Sequence, residues 1–243
     1  MPRFNYQKIC QDLISDLSPR QKEVILERFG LKGGERKTLE AVSENFGITR
    51  ERVRQIQNGA LEGIKEKAGS YQAIFQAMRK YFQNFGGLRK EETMLQELGE
   101  NKWQNQVYFL LNLDKQFSRF GATKDFYSLW ADSSGSLEKA RKIISLLYQK
   151  LEELKKPLAL KELANFASQN TLTLESCLDV SKKIQKNSEG VFGLKDWPEI
   201  NPRGVKDRAY LLFKKTQEPL HFTRVAHMLE GSLVQTVHNE LIR

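Results

Sequence analysis

The chain has 243 residues, 40% of them hydrophobic and 28% charged, with a formal net charge of +9. That length suits two or more domains with packed cores, and the basic balance suits a polyanionic partner. The same figures point away from membrane and secreted classes. No apolar stretch reaches spanning length, Met1-Pro2-Arg3-Phe4-Asn5-Tyr6 lacks a signal core, and Cys10 and Cys177 are the only cysteines.

No membrane contact is therefore expected, and the location is expected to be cytoplasmic and nucleoid-associated. Phosphate-binding glycine loops, nucleophile elbows and metalloprotease pairs are missing from the sequence. His221, His227 and His238 stand without Cys or carboxylate neighbours at ligand spacing, which favours helix packing over metal binding. The expectation is a non-enzyme without cofactor or metal. Basic residues are spread along the chain rather than gathered in a tail, so function is sought on folded faces.

The first span, 1–68, carries Leu13, Leu17, Val24, Leu39, Val42, Val53 and Ile56 at helical spacing and is expected to close a small core alone. Within it, Thr38 can cap a helix whose apolar face is Leu39, Val42 and Phe46. Gly47 stands where the chain must leave that helix. Thr49 can cap the next one, and Ile48 can pack on Val53 as a staple. This is the pattern of a helix-turn-helix.

On the second helix, Val53, Ile56, Ala60 and Ile64 share the buried stripe, which puts Glu51, Arg54, Gln55 and Asn58 outward with Arg50 and Arg52 beside them. Arg matches the major-groove acceptors of guanine, Gln or Asn matches adenine, and Glu accepts from the cytosine amino group. A mixed set of this kind at a helix start suits reading base edges. A solvated face on a protein-binding helix-turn-helix is the other reading. Gly59 and Gly63 later in the helix each cost on the order of 1 kcal/mol relative to Ala, so its C-terminal part is expected to be weak.

Residues Leu17–Ile25, Glu27–Leu31, Thr38–Glu40 and Phe46–Ile56 together resemble region 4 of the sigma-70-type RNA polymerase sigma factors, over residues 17–67. The resemblance implies recognition of a promoter −35 element, mainly by Arg50, Glu51, Arg54 and Gln55. It places Thr38, Leu39 and Arg52 near the DNA backbone or groove edge. Double-stranded promoter DNA and RNA polymerase core are the partners it implies. No stretch resembles sigma region 2, so a factor that melts promoters unaided is not expected. The alternative is a polymerase-binding or anti-sigma-type protein whose region 4-like domain docks on the polymerase β-flap. Oligomeric state stays open.

Beyond Gly69-Ser70 the chain reads as three variants of one unit, at 71–131, 137–199 and 205–243. Asp132–Ser136 and Pro198–Gly204 separate them. Pro157–Ala164 matches Pro219–Ala226, and Phe126–Leu129 before Trp130 matches Val191–Leu194 before Trp197. Both latter runs follow turn-rich segments, as hairpins require. The fold class is thus mainly α: an N-terminal helix-turn-helix domain followed by tandem winged-helix (three-helix plus β-hairpin) units.

Trp130 and Trp197 are expected in cores rather than stacking bases. Lys155-Lys156, Lys182-Lys183 and Lys214-Lys215 suit either phosphates or solvated faces. Asn105–Asn112, in the place of a recognition helix, is too apolar to face DNA and is expected to be structural or protein-binding. Val205–Leu212, Pro219–Ala226 and Thr236–Ile242 resemble the HARE-type winged helix-turn-helix, also found in the RNA polymerase delta subunit. That family continues into a β-hairpin wing, whereas this chain stops at Arg243. Leu211, Leu212, Leu220, Val225, Leu229, Val237 and Leu241 are expected to form a core open on one side. The segment then packs near Trp197-Pro198 or has low local stability.

Overall fold

The computed structural model describes residues 4–229 and 233–242. The chain start at Met1–Arg3 and the end at Arg243 lie outside the described residues. Two compact units divide the chain, Met1–Ala140 and Arg141–Arg243.

The first unit opens with helices α1 (Tyr6–Leu13), α2 (Pro19–Phe29), α3 (Leu39–Phe46) and α4 (Arg50–Ala68). Ser18 and Gln21 form a reciprocal cap at the start of α2, with Pro19 in the first turn where no N–H partner is needed. Gly30 ends α2 in the left-handed region at φ +61°. The expected weakness of α4 after Ile56 does not break it. The helix runs through Gly59 and Gly63 because Ala60 and Ile64, buried beside them, pin that stretch to the core.

A 3₁₀ turn at Gly69–Tyr71 leads straight into α5 (Gln72–Asn84). β1 (Leu88–Lys90), α6 (Glu91–Gly99), α7 (Gln104–Leu113), β2 (Ser118–Phe120) and β3 (Leu129–Ala131) follow. The strands form an antiparallel sheet in the order β1-β3-β2, pairing Leu88 with Ala131 and Phe120 with Leu129. Of Phe126–Leu129, expected as the return strand, only Leu129 belongs to it, with Phe126 in an isolated bridge. Thr123 Oγ1 accepts from the N–H groups of Asp125 and Phe126, which fixes those residues in the turn.

The expected break at Gly69-Ser70 is no break in the core. Leu13, Ile25, Phe29, Ala60 and Ile64 share one apolar cluster with Phe82, Val107, Phe109, Leu110 and Trp130. Of the residues expected to close a core within 1–68, Leu13 and Leu17 belong to this shared cluster. Val24, Val42 and Val53 make a second, smaller cluster, whereas the other sides of α2 and α4 are covered by α7. Six of the ten residues of α7 are buried, so the helix in the place of a recognition helix is core.

α8 (Ser134–Leu154) begins inside the expected linker, where Ser133 Oγ accepts from the Ser136 N–H. In the second unit come α9 (Leu160–Ala167), α10 (Thr171–Val180), β4 (Ile184–Lys186) and β5 (Phe192–Leu194). The hairpin pairs Ile184 with Leu194, and Asn187 Oδ1 holds its turn by accepting from Glu189 and Val191. Trp197 is half-buried and Trp130 almost wholly buried.

α11 (Val205–Thr216), α12 (Phe222–Met228) and α13 (Val234–Ile242) close around Ala209, Val225, Ala226 and Val237. Leu241, expected in this core, is 38% exposed, although it lies one helical turn after Val237 on the same face of α13. α11 meets the turn after β5 through Lys214 Nζ and Glu199 Oε1, 2.7 Å apart.

Candidate nucleic-acid interface

Local chemistry sets the turn between α3 and α4. Thr38 Oγ1 accepts from the Ala41 N–H at 3.1 Å, and Thr49 Oγ1 accepts from the Arg52 N–H at 3.2 Å. Both hydroxyls thus satisfy helix donors that have no partner within their own helix. Gly47 adopts φ +61° between them. Val24, Val42 and Val53 are fully buried beneath the turn, with Leu39, Phe46, Ile48 and Ile56 packed on them. Full burial of each valine contributes about 1.5–3 kcal/mol. Arg20 closes the outer edge, donating to the Phe46 carbonyl at 3.3 Å and lying over its ring.

Arg50, Glu51, Arg52, Arg54, Gln55 and Asn58 are all exposed, and α4 carries them together on its outward side. Thr38 and Thr49 serve as caps, and Leu39 packs partly on the valine cluster.

The outward side chains are engaged with one another. Arg54 donates to both Glu51 carboxylate oxygens at 2.7 and 2.8 Å, and Arg52 donates to Gln55 Oε1 at 3.2 Å. The Arg54 hydrogen bonds hold the Glu51 carboxyl below its usual range, and the same pair raises Arg54. Being fully solvated, this pair adds little to stability. Its effect is on orientation: the guanidinium plane is set before any ligand arrives.

Beneath the interface, Arg28 fastens α2 to α4. Its Nε donates to Gln57 Oε1 at 2.8 Å, another of its nitrogens donates to the Lys37 carbonyl, and burial depresses its basicity. Lys37 in turn pairs with Glu27 at 3.1 Å. From α7, Asn105 Nδ2 donates to the carbonyls of Gly30 at 3.1 Å and Gly34 at 2.8 Å. The Arg36 guanidinium lies 4.0 Å from the centre of the Tyr108 ring. Nothing in residues 30–37 alone reveals these α7 partners. Asn105 and Tyr108 have the i, i+3 spacing of one helix face, but their target lies far away in the chain.

Two glycines give a direct test of this geometry. A Cβ on Gly30 would stand 2.5 Å from the Gly34 carbonyl oxygen and 2.6 Å from Asn105 Nδ2, whereas one on Gly47 would meet nothing within 4 Å. Gly47→Ala carries only the left-handed backbone penalty, about 1–2 kcal/mol. Gly30→Ala adds a clash to that penalty and is expected to cost at least twice as much. Urea melts of the two variants check the order, and equal costs would mean that the α7 clamp on the loop is slack.

Among the described residues, no group of His, Cys, Asp and Glu is placed to hold a metal, and no helix is long and apolar enough to cross a membrane.

Residues 13–66 match the family model "Sigma-70, region 4". The chain is 52% identical over 56 residues to an RNA polymerase sigma-B factor of Nostoc sp., a stretch covering 23% of this chain and 17% of that protein. It is 44% identical over 55 residues to the sigma factor SigA1 of Synechococcus elongatus, covering 23% of this chain and 14% of that one. Against SigA of Listeria monocytogenes it is 42% identical over 62 residues, covering 26% and 17%. The chain thus spans under a fifth of the length of these relatives, and its N-terminal segment is a sigma-70 region 4 domain.

Proposed function

We propose that the protein binds duplex promoter DNA in bacterial transcription initiation, reading a −35-type element through α4 from Arg50, as a regulator or sigma-like factor. The observation that carries this reading is the outward face of α4. Arg50, Glu51, Arg52, Arg54, Gln55 and Asn58 stand exposed together at the start of a helix whose opposite side is fixed by Val53, Ala60 and Ile64. Such a face offers donors and acceptors to base edges, and its arginines reach phosphates as well. The matches of residues 13–66 to RNA polymerase sigma factors support the same role.

The units after α4 are proposed as winged-helix modules with supporting roles. Three helices with a three-stranded sheet at 71–131, and three helices with a hairpin at 137–199, support that reading. Burial of α7 and α10 argues against a second DNA-reading helix in either. The setting is the cytoplasm and the nucleoid, with RNA polymerase core as protein partner. Docking on the polymerase flap through an apolar patch of the region 4-like domain has less support. Among the described residues, every large apolar side chain that is well exposed lies at or beyond Leu146.

Titration of a labelled duplex carrying a −35-type element, against a scrambled duplex, tests the proposal. Binding is expected to fall with salt by about 0.9 log units per log unit of salt for each phosphate neutralised, and to favour the specific duplex. Salt-independent binding, or equal affinity for both duplexes, overturns it.

A further inference from the structure

We propose that Arg36 is a further DNA-binding residue, gripping a backbone phosphate, and that Tyr108 of α7 is the residue that positions it. The inference rests on the DNA-binding reading above and adds to it a role for the 71–131 segment.

Arg36 lies two residues before Thr38, the cap of α3, in the loop that enters the helix-turn-helix. Its guanidinium is exposed, and it is stacked 4.0 Å from the Tyr108 ring centre. Among the described residues no carboxylate pairs with it. The contrast with neighbouring arginines is informative. Arg54 is held by Glu51 in a bidentate pair, and Arg119, on the same Tyr108 ring at 5.9 Å, is held by Glu91. Arg36, exposed on the Tyr108 ring, is left facing solvent.

An exposed arginine normally samples many rotamers, and ordering it on a ligand costs side-chain entropy. Stacking on an aromatic face removes much of that freedom beforehand and leaves the edge of the guanidinium open to a phosphate. The rest of the loop is equally fixed. Asn105, one helical turn before Tyr108, holds the carbonyls of Gly30 and Gly34, and Arg28 holds that of Lys37. One face of α7 therefore presents the Arg36 loop as a rigid element. A contact of this kind adds affinity without sequence preference.

The test uses the full chain and the labelled specific and scrambled duplexes across a salt series. Arg36→Ala is expected to lower the salt slope by about 0.9, the value for one phosphate. It should weaken both duplexes by the same factor and leave the melting temperature unchanged. Tyr108→Phe keeps the ring and is expected to bind like the wild type. Tyr108→Leu is expected to weaken binding in the wild-type background and to add nothing to Arg36→Ala, whereas a merely structural tyrosine would add its loss in both. Should Tyr108→Leu fail to fold, Arg36→Ala and Tyr108→Phe still decide. An unchanged slope for Arg36→Ala, beside a wild type that binds with steep salt dependence, overturns this inference alone. A wild type without salt dependence overturns the DNA reading and this inference together.

Discussion

Arg54→Ala is expected to lower discrimination between a specific and a scrambled duplex by about 1–3 kcal/mol, the value of one bidentate base contact. That corresponds to roughly a fivefold to 150-fold loss. The effect arises from two sources. The guanidinium that matches the paired acceptors of guanine is gone, and the Glu51 carboxylate loses the partner that held it at 2.7 and 2.8 Å. An unpaired carboxylate facing DNA repels phosphates wherever the protein lands.

Glu51→Gln is the informative companion. It releases Arg54 while keeping a side chain of similar shape, so binding to scrambled DNA is expected to tighten as discrimination falls. Competition titrations with both duplexes at one fixed salt concentration measure the two effects. A uniform loss for Arg54→Ala on both duplexes would mean that Arg54 only holds phosphate.

Glu91→Ala is expected to lower stability by about 1–3 kcal/mol, as when a buried donor is left without its acceptor. Glu91 opens α6, and its carboxylate accepts from Arg119 at 2.5 and 2.9 Å and from the Trp130 indole N–H at 2.9 Å. Its backbone N–H donates to the Ser128 carbonyl at 2.9 Å. One carboxylate thus ties α6 to both strands of the hairpin. Without it, the indole N–H is buried with no acceptor, and Arg119 loses its counter-charge. Glu91→Gln keeps one acceptor oxygen and should cost less. Chemical denaturation of both variants gives the comparison, and a cost below about 1 kcal/mol for Glu91→Ala would place the pair among ordinary surface bridges.

The parts of the molecule legible in the sequence are those governed by neighbours within one helical turn. Thr38 and Thr49 as caps, Gly47 as the left-handed exit, and the division of α4 into a Val53–Ala60–Ile64 side and an Arg54–Gln55–Asn58 side all follow from local rules. The turn at Asn187–Gly190 was legible for the same reason. What was not legible depends on partners distant in sequence. Leu88–Lys90 is a strand only because residues 129–131 pair with it. The 1–68 stretch appeared self-sufficient because its apolar residues, counted along the chain, suffice for a small core. Val24, Leu39, Val42, Val53 and Ile56 do converge in one small cluster, whereas Leu13 and Leu17 face the larger cluster that α7 completes. At the interface, the six α4 residues could be named from spacing, whereas the stack of Arg36 on Tyr108 could not.

Burial of α7 also changes what a genetic screen on this protein would report. Phe109, Leu110 and Leu111 are fully enclosed, and Phe109 stands edge-on to the Phe29 ring at 5.1 Å. Alleles at these positions that lose promoter occupancy would recover at low temperature and be suppressed by second changes at Ile25, Phe29 or Ile64 that refill the same space. Alleles at Arg54 or Gln55 would instead be insensitive to temperature and suppressed only by changes in the DNA site. Sorting mutants by their suppressors, rather than by the severity of their phenotype, would separate the residues that meet DNA from those that hold them in place.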